Sequence, residues 1–211
     1  MKTTIYVDGF NLYYGCLRHS PYKWLNLQAL FQELLPRHQI DKIHYFTARV
    51  KPLAHDQDAP QRQKAYLRAL ETLPEIEIHY GLFTQHQVRM ANAEPPPNTV
   101  EVIKTEEKGS DVNFSVHLLN DAWRALYDCA VLVTNDSDMA EAMRLVKSQF
   151  PQKKLGLITP TILNNKQPTN KLNQYADFHK RLSKTKLATA QFDNPVTCAK
   201  TKDPIYKPTS W

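Results

Sequence analysis

Short apolar runs alternate with amphipathic helical stretches along most of the chain, and this alternation constrains the fold more than any other feature. From Asn26 onward, apolar residues recur at helical spacing, and Asn26 is placed to cap that helix. Strands are predicted near residues 4–7, 43–50, 76–83, 99–103, 130–133 and 155–158. Because alternating strands and helices are typical of a mostly parallel sheet covered on both faces, we predict an α/β fold.

Composition narrows the class of protein. Apolar residues make up 42% of the 211 residues and charged residues 23%, which is typical of a globular domain. No apolar run approaches the roughly 18 residues that a membrane span needs, and the first residues do not resemble a secretion signal. The three cysteines are far apart and form no disulfide framework. We therefore expect a cytoplasmic protein with no membrane partner.

Two segments fall outside the alternating pattern. Thr84 to Asn98 is polar and contains three consecutive prolines, which predicts an extended loop or lid, with a strand-like start as an alternative. After residue 178 the periodicity weakens, with a short helical element between residues 180 and 191 and an extended tail from residue 194. We expect residues 1–178 to form the domain and residues 179–211 to form a basic C-terminal extension.

Charge is divided unevenly along the chain. Residues 1–143 carry a net charge of −4 and residues 144–211 a net charge of +10. A basic face attracts polyanions, although a solvated surface explains the same residues. The candidates for nucleic-acid binding are Lys104, Lys108, Lys153, Lys154, Lys180 and Arg181.

Carboxylates follow three of the predicted strands. Asp8 ends the first strand, Asp111 opens the helix after the fourth, and Asp136-Ser137-Asp138 follows the fifth. In open α/β sheets, sites lie beyond the carboxyl ends of the strands, so these side chains are expected at one edge. Carboxylates held close together repel one another, which favours either a raised pKa or a bound hard cation such as Mg²⁺ or Mn²⁺.

Helix capping explains each of these acids singly. Asp and Ser are favoured caps, and Asp138 has the spacing to Glu141 of a capping box. One cap does not require both Asp136 and Asp138, however, and Asp8 follows its strand so closely that its side chain should face the sheet edge. The two interpretations, capping and metal binding, both stay open at this point.

Familiar motifs of other classes are absent from the sequence. The five glycines form neither the dinucleotide fingerprint GxGxxG nor the phosphate-binding loop GxxxxGK[ST], and GxSxG is also missing. The eight histidines show no HExxH or other spaced ligand set, so the sequence does not predict zinc.

Three motifs, in order, resemble those of the NYN domains in the LabA-like branch of the PIN-like nuclease superfamily. They are Tyr6–Tyr13 (YVDGFNLY), Lys108–Val112 (KGSDV) and Thr134–Met139 (TNDSDM), and the resemblance extends from about residue 1 to residue 178. It implies a PIN-like three-layer α/β/α sandwich around a mostly parallel sheet of about five strands. It also implies a metal-dependent ribonuclease site.

The resemblance also implies roles for the acids. Asp8 and Asp136 would be metal ligands, and Asp111 would complete the shell or hold a metal-bound water. Asp138 would orient a water or cap its helix. The supporting residues would be Asn11, Ser137 and His117, the last standing near a position where many relatives carry another acid. His117 is either a neighbour of the metal site, a phosphate contact or a packed helix residue.

These features together predict a metal-dependent endoribonuclease that hydrolyses single-stranded RNA with Mg²⁺ or Mn²⁺, and the resemblance allows a homodimer. A catalytically weak RNA-binding or regulatory module with the same fold is the main alternative, since fold alone does not fix function. A phosphatase of the haloacid-dehalogenase type is disfavoured, because Asp8 stands without the second aspartate of the DxD motif of that class.

Overall fold

Strand β1 lies at the centre of a seven-stranded sheet. The computed structural model describes residues 1–52, 56–162, 169–198 and 202–211. The strand order is β4-β3-β2-β1-β5-β6-β7, and every neighbouring pair is parallel except β3 and β4. The strands are β1 (Lys2–Asp8), β2 (Gln39–Ala48), β3 (Ile76–Ala91), β4 (Thr99–Lys108), β5 (Cys129–Val133), β6 (Lys154–Thr159) and β7 (Phe178–Arg181).

Helices cover both faces of this sheet. They are α1 (Gly9–Leu12), α2 (Leu27–Leu34), α3 (Ala59–Leu70), α4 (Ser110–Trp123), α5 (Ala140–Gln149), α6 (Asn170–Asn173) and α7 (Lys184–Thr189). A π-helical turn over Tyr13–Leu17 follows α1, and a 3₁₀ turn over Ser137–Met139 precedes α5. Asn26 caps α2 as predicted, because its side chain accepts a hydrogen bond from the Ala29 amide at 3.1 Å.

The central strands are buried on both faces and therefore divide the core into two clusters. Ile5 and Val7 of β1 pack with α2 and α3 on one face, whereas Tyr6 packs with α4 and α5 on the other. This alternation follows from the two-residue period of a strand. The predicted three-layer α/β/α arrangement with a mostly parallel sheet is confirmed, although the sheet has seven strands instead of about five.

The predicted loop from Thr84 to Asn98 is largely strand. Strand β3 continues to Ala91, and its second half, Leu82–Ala91, pairs with β4 as an antiparallel hairpin. Its first six residues pair with β2, so the hairpin extends beyond the carboxyl edge of the parallel sheet. Both faces of this arm are largely exposed, so it lacks the apolar alternation that predicts a strand.

The C-terminal segment packs onto the body of the protein. Leu187 of α7 and Ile205 are buried in the same core cluster as α2 and α3. Val196–Thr197 and Pro204–Ile205 form a two-stranded ribbon, β8 and β9. Aromatic contacts connect Trp211 to Trp24, with ring centroids 6.4 Å apart. Within the described ranges, no helix has the length and apolar character to cross a membrane.

Candidate active site

Asp8 occupies the turn between the central strand and helix α1. Its Oδ1 accepts a hydrogen bond from the Asn11 amide at 2.9 Å, and its Oδ2 accepts one from the Thr134 hydroxyl at 3.1 Å. The next residue, Gly9, lies so close to the Tyr45 ring that a Cβ there would come within 2.7 Å of it. Asp8 is therefore both the cap of α1 and a buried carboxylate at the carboxyl edge of the sheet.

The segment after β5 is tied to Asp8 by hydrogen bonds. The Thr134 hydroxyl, which donates to Asp8, accepts from the Asp136 amide at 3.0 Å. The Asn11 side-chain oxygen accepts from the Asn135 amide at 3.1 Å. Asp136 in turn caps the 3₁₀ turn, accepting from the Asp138 amide at 3.0 Å. Asn11 thus supports the site by joining the first and third motifs through backbone groups.

The middle motif is shaped by Gly109 and Glu107. Gly109 precedes helix α4 with φ of 93°, a left-handed conformation that favours glycine. The Glu107 carboxylate accepts hydrogen bonds from the Ser110 amide at 3.0 Å and from the Ser110 hydroxyl at 2.6 Å. Asp111 follows in the first turn of the helix. Glu107 therefore stabilises the start of α4, which leaves Asp111 without a capping role at that position.

The acids from the three junctions influence one another electrostatically. Burial, with a smaller contribution from the charges of Asp111 and Asp136, raises the pKa of Asp8 to about 6 against the lowering effect of its hydrogen bonds. Burial also raises the pKa of Asp111, as do the charges of Asp136, Glu107 and Asp138. The structure therefore brings the four predicted aspartates into one electrostatic cluster. It also adds Glu107, which was not among the residues predicted for the site.

Exposure differs among the residues of the third motif. Asp136 and Ser137 are half-buried, whereas Asp138 is exposed. The capping interpretation is confirmed for Asp136, and its charge also acts on Asp8 and Asp111, while its role as a metal ligand stays a prediction. Asp138 presents its side chain to solvent beside Asp111, where it can contact a water or a substrate.

The donor set suits a hard cation that keeps part of its water shell. Within the described residues, the one trio of potential ligands whose donor atoms all lie within 4.8 Å of one another is formed by histidines, so the aspartates are spaced more widely. Mg²⁺ is commonly held by one or two carboxylates and several waters. A carboxyl group such as Asp8, which burial keeps partly protonated, gains from a cation nearby. The residues therefore fit Mg²⁺ or Mn²⁺.

His117 lies away from these aspartates. It is on α4, six residues after Asp111, and its ring centroid lies 4.0 Å from that of His79 and 5.8 Å from that of Phe46. His117 therefore lies outside the acidic cluster, with its ring against those of His79 and Phe46, and its role stays a prediction.

Lys153 is not a nucleic-acid contact, and the prediction is wrong for this residue. Its side chain is buried, with the ammonium donating to the Tyr127 carbonyl at 2.6 Å and lying over the Tyr127 ring. Lys153, in the segment between α5 and β6, thus supplies the hydrogen-bond donor for a buried carbonyl. The basic sequence around it does not indicate that its side chain is buried.

The other basic candidates are at the surface, and acidic neighbours occupy several of them. Lys104 and Lys108 both contact Glu106 on the hairpin, and Lys154 contacts Asp177. Lys180 and Arg181 are exposed at the end of β7. Because β7 is three strands from β1, they lie roughly 14 Å from Asp8 across the sheet.

A cavity of about 400 Å³ opens beside Asp8, and Gly9 forms part of its wall. Aromatic side chains line much of it, and basic groups stand among them, including Arg18 and Lys23. Its size lies within the usual range for small-molecule sites. The aromatic walls are Phe10, Tyr13, Tyr14, Tyr45, Tyr66, Phe83 and Trp211.

Comparison of the chain with models of known families tests the resemblance that the three motifs show. The NYN domain model matches residues 2–182. The chain belongs to the NYN domain family. Membership places it in the PIN-like nuclease superfamily, as the motifs predicted. The match includes all of strand β7.

Two further comparisons show how far the similarity extends to individual proteins. A curated protein from Pseudomonas putida (strain DSM 28022 / S16), named 6-hydroxy-3-succinoylpyridine 3-monooxygenase HspA, is 31% identical over 239 aligned positions that cover 100% of this chain and 75% of that protein. The crystal structure of a protein of unknown function from Vibrio parahaemolyticus aligns with a TM-score of 0.55 and 17% identity, covering 87% of this chain and 93% of that one. The second likeness shows the shared fold alone.

Proposed function

We propose that this NYN domain is a metal-dependent endoribonuclease acting on single-stranded RNA. The observation that carries the proposal is the buried carboxylate of Asp8, which is held at the carboxyl edge of the sheet and acted on by Asp111 and Asp136 from two other junctions. A site that concentrates negative charge in this way suits a phosphodiester substrate only when a cation is present. The proposed cytoplasmic location agrees with this substrate, since RNA is abundant there.

Asp8 and Asp136 are the residues that would hold Mg²⁺ or Mn²⁺, with Asp111 completing the set. When bound, such an ion supplies electrostatic stabilisation of the phosphate and lowers the pKa of a coordinated water. The protein itself holds the acids in place: Thr134 and the Asn11 amide fix Asp8, and the Asp138 amide fixes Asp136. Asp138, exposed beside them, would accept a proton or orient a water.

The aromatic cavity supports RNA as the partner of this site. Unpaired bases stack on aromatic side chains, and each stack contributes about 1–3 kcal/mol. Phe10, within the first motif, and Tyr14, directly after it, have ring centroids 6.4 Å apart, so a base entering the cavity would bring its backbone towards Asp8. The hairpin lysines, Lys104 and Lys108, would contact phosphates after releasing Glu106.

The experiment incubates purified protein with labelled single-stranded RNA in Mg²⁺, Mn²⁺ or EDTA. Asp8→Asn and Asp136→Asn proteins test the site, and His86→Ala, on an exposed part of β3, is the matched control. We expect cleavage by wild type and His86→Ala only with metal, and none by the aspartate variants. Cleavage that survives in both aspartate variants would overturn the assignment. RNA binding without cleavage would favour the regulatory alternative, and the mass in solution tests the proposed homodimer.

A second candidate is an enzyme that acts on a small aromatic acid in the same cavity. The likeness to a protein named as a succinoylpyridine monooxygenase, over all of this chain and 75% of that protein, favours it, as do the aromatic walls with basic groups among them. Titration with a hydroxypyridine carboxylate, followed by the fluorescence of Trp211 and checked with Arg18→Ala, tests this candidate. Saturable binding by wild type that weakens in the variant would support it, and no binding would exclude it.

A further inference from the structure

Three imidazoles from separate elements meet on the face of the sheet that α4 covers. His44 is on β2, His79 on β3 and His117 on α4, and one nitrogen of each lies within 4.8 Å of the others. The His44 Nδ1 and the His79 Nε2 are 2.8 Å apart, and the ring centroids of His79 and His117 are 4.0 Å apart. The three rings therefore present nitrogen donors to one small volume.

We propose that His44, His79 and His117 form a binding site for a divalent transition-metal ion of the Zn²⁺ class. Zn–N bonds of 2.0–2.1 Å in a tetrahedral site place neighbouring ligand nitrogens about 3.3 Å apart. The hydrogen-bonded nitrogens of His44 and His79 need to separate by only about 0.5 Å to reach that spacing. The ion would thus take the place of the proton that the two rings share.

A buried carboxylate orients the central ligand of this site. The Asp121 Oδ2 lies 3.1 Å from the His44 Nε2 and accepts a hydrogen bond from the Tyr6 hydroxyl at 2.7 Å. A carboxylate that accepts a hydrogen bond from Nε2 keeps the proton on that nitrogen, and the lone pair of Nδ1 is then directed at His79. Histidines that bind metals almost always donate their other N–H in this way. The hydrogen bond between His44 and Asp121 is therefore the one expected of a metal-binding histidine.

Glu77 provides an oxygen donor at the open side of the cluster. Its carboxylate oxygens lie 4.0 Å from the His44 Nδ1 and 3.9 Å from the His79 Nε2, while Lys42 pairs with it. A cavity of about 310 Å³ adjoins the cluster and is lined by His44, His117 and Glu77 among others. An ion can therefore enter from solvent and complete its shell with Glu77 or water.

The donor chemistry selects the class of ion. Imidazole suits Zn²⁺ and its transition-metal neighbours, whereas Mg²⁺ prefers oxygen. This site is distinct from the acidic cluster, because six residues along α4 separate His117 from Asp111 by about 9 Å.

The test measures Zn²⁺ binding by calorimetry and Co²⁺ binding by visible absorption, using untagged protein stripped with EDTA. The variants are His79→Gln and His117→Gln, which alter the two less buried rings, and their double variant. The controls are His86→Ala on the same strand as His79 and Cys198→Ser, which removes the most exposed thiol. Thermal unfolding verifies that each variant is folded.

We expect one Zn²⁺ per chain in wild type and both controls, with affinity at least about 100-fold lower in each glutamine variant. Asp121→Asn should weaken binding by about 10–100-fold, as the loss of an orienting carboxylate does in known sites. The proposal is overturned if wild type takes up no stoichiometric ion. It is also overturned if the double variant binds Zn²⁺ as tightly as wild type. None of these readouts depends on RNA cleavage.

Discussion

Helix α4 contributes to two clusters of different chemistry, one at its start and one at its middle. At its first turn, Asp111 joins acids that come from the ends of β1 and β5, and all the donors are hard oxygen atoms. Two turns further along, His117 joins rings from the middle of β2 and the first part of β3, and the donors are nitrogen atoms. The acidic cluster lies at the carboxyl edge of the sheet, where α/β folds commonly place their sites. The histidine cluster is formed instead by side chains on the face of the sheet that α4 covers.

The largest effect should come from removing one charge at the acidic end. Asp8→Asn keeps the shape of the side chain but removes its charge, so we expect metal-dependent RNA cleavage to fall by at least about 100-fold. Zn²⁺ binding at the histidine cluster should be unchanged, as measured by calorimetry on the same sample. Loss of both properties together would show that the two clusters are one site.

Asp8 should also make the metal-free protein less stable as pH rises. Its folded pKa of about 6 lies above the ordinary value of 3.8, so the folded state binds more protons between these values. Stability is therefore lost as pH increases through that window, by on the order of 3 kcal/mol. Because histidines such as His79, with lowered pKa values, gain stability over the same range, the test is the difference between two proteins. Urea unfolding in EDTA at pH 4 and pH 7 should show a change in the free energy of unfolding that is less favourable in wild type than in Asp8→Asn. Equal changes in the two proteins would contradict the assignment.

The start of α4 should depend on Glu107. Glu107→Ala removes the acceptor of two hydrogen bonds from Ser110, and we expect a loss of about 1 kcal/mol in the free energy of unfolding. Glu106→Ala is the matched control, since the neighbouring carboxylate forms exposed ion pairs on the hairpin. Chemical denaturation of both variants decides whether Glu107 holds the acidic end of the helix in place.

The smallest effect should come from the hairpin. Lys108→Ala removes one exposed charge, so we expect RNA affinity to fall severalfold and the slope of log affinity against log salt to decrease by about 1. Lys153→Ala should leave that slope unchanged, because its ammonium is buried against Tyr127. Filter binding at a series of salt concentrations tests both, and an equal change in slope would refute the distinction.

The sequence predicted most of what lies at the strand ends. Asp8 and Asp136 were predictable because a parallel sheet brings its carboxyl ends to one edge, and turns after strands favour Asp and Ser. The length of β3 was not predictable, since its outer half has no buried face and so no two-residue apolar period. The histidine cluster escaped detection because His44, His79 and His117 are separated by 35 and 38 positions, which matches no local spacing of ligands.

The central position of β1 determines when the acidic site can exist. Strand β1 is synthesised before β5, with which it pairs on one side, and the hydroxyl that fixes Asp8 belongs to Thr134, 126 positions later. A ribosome that adds about 5–20 residues per second needs on the order of 10 seconds to cover that distance. The proposed ribonuclease centre therefore cannot assemble on the nascent chain until Asp136 has been added. The messenger RNA that encodes the protein is translated beyond the codon for Asp136 before this chain can cleave RNA.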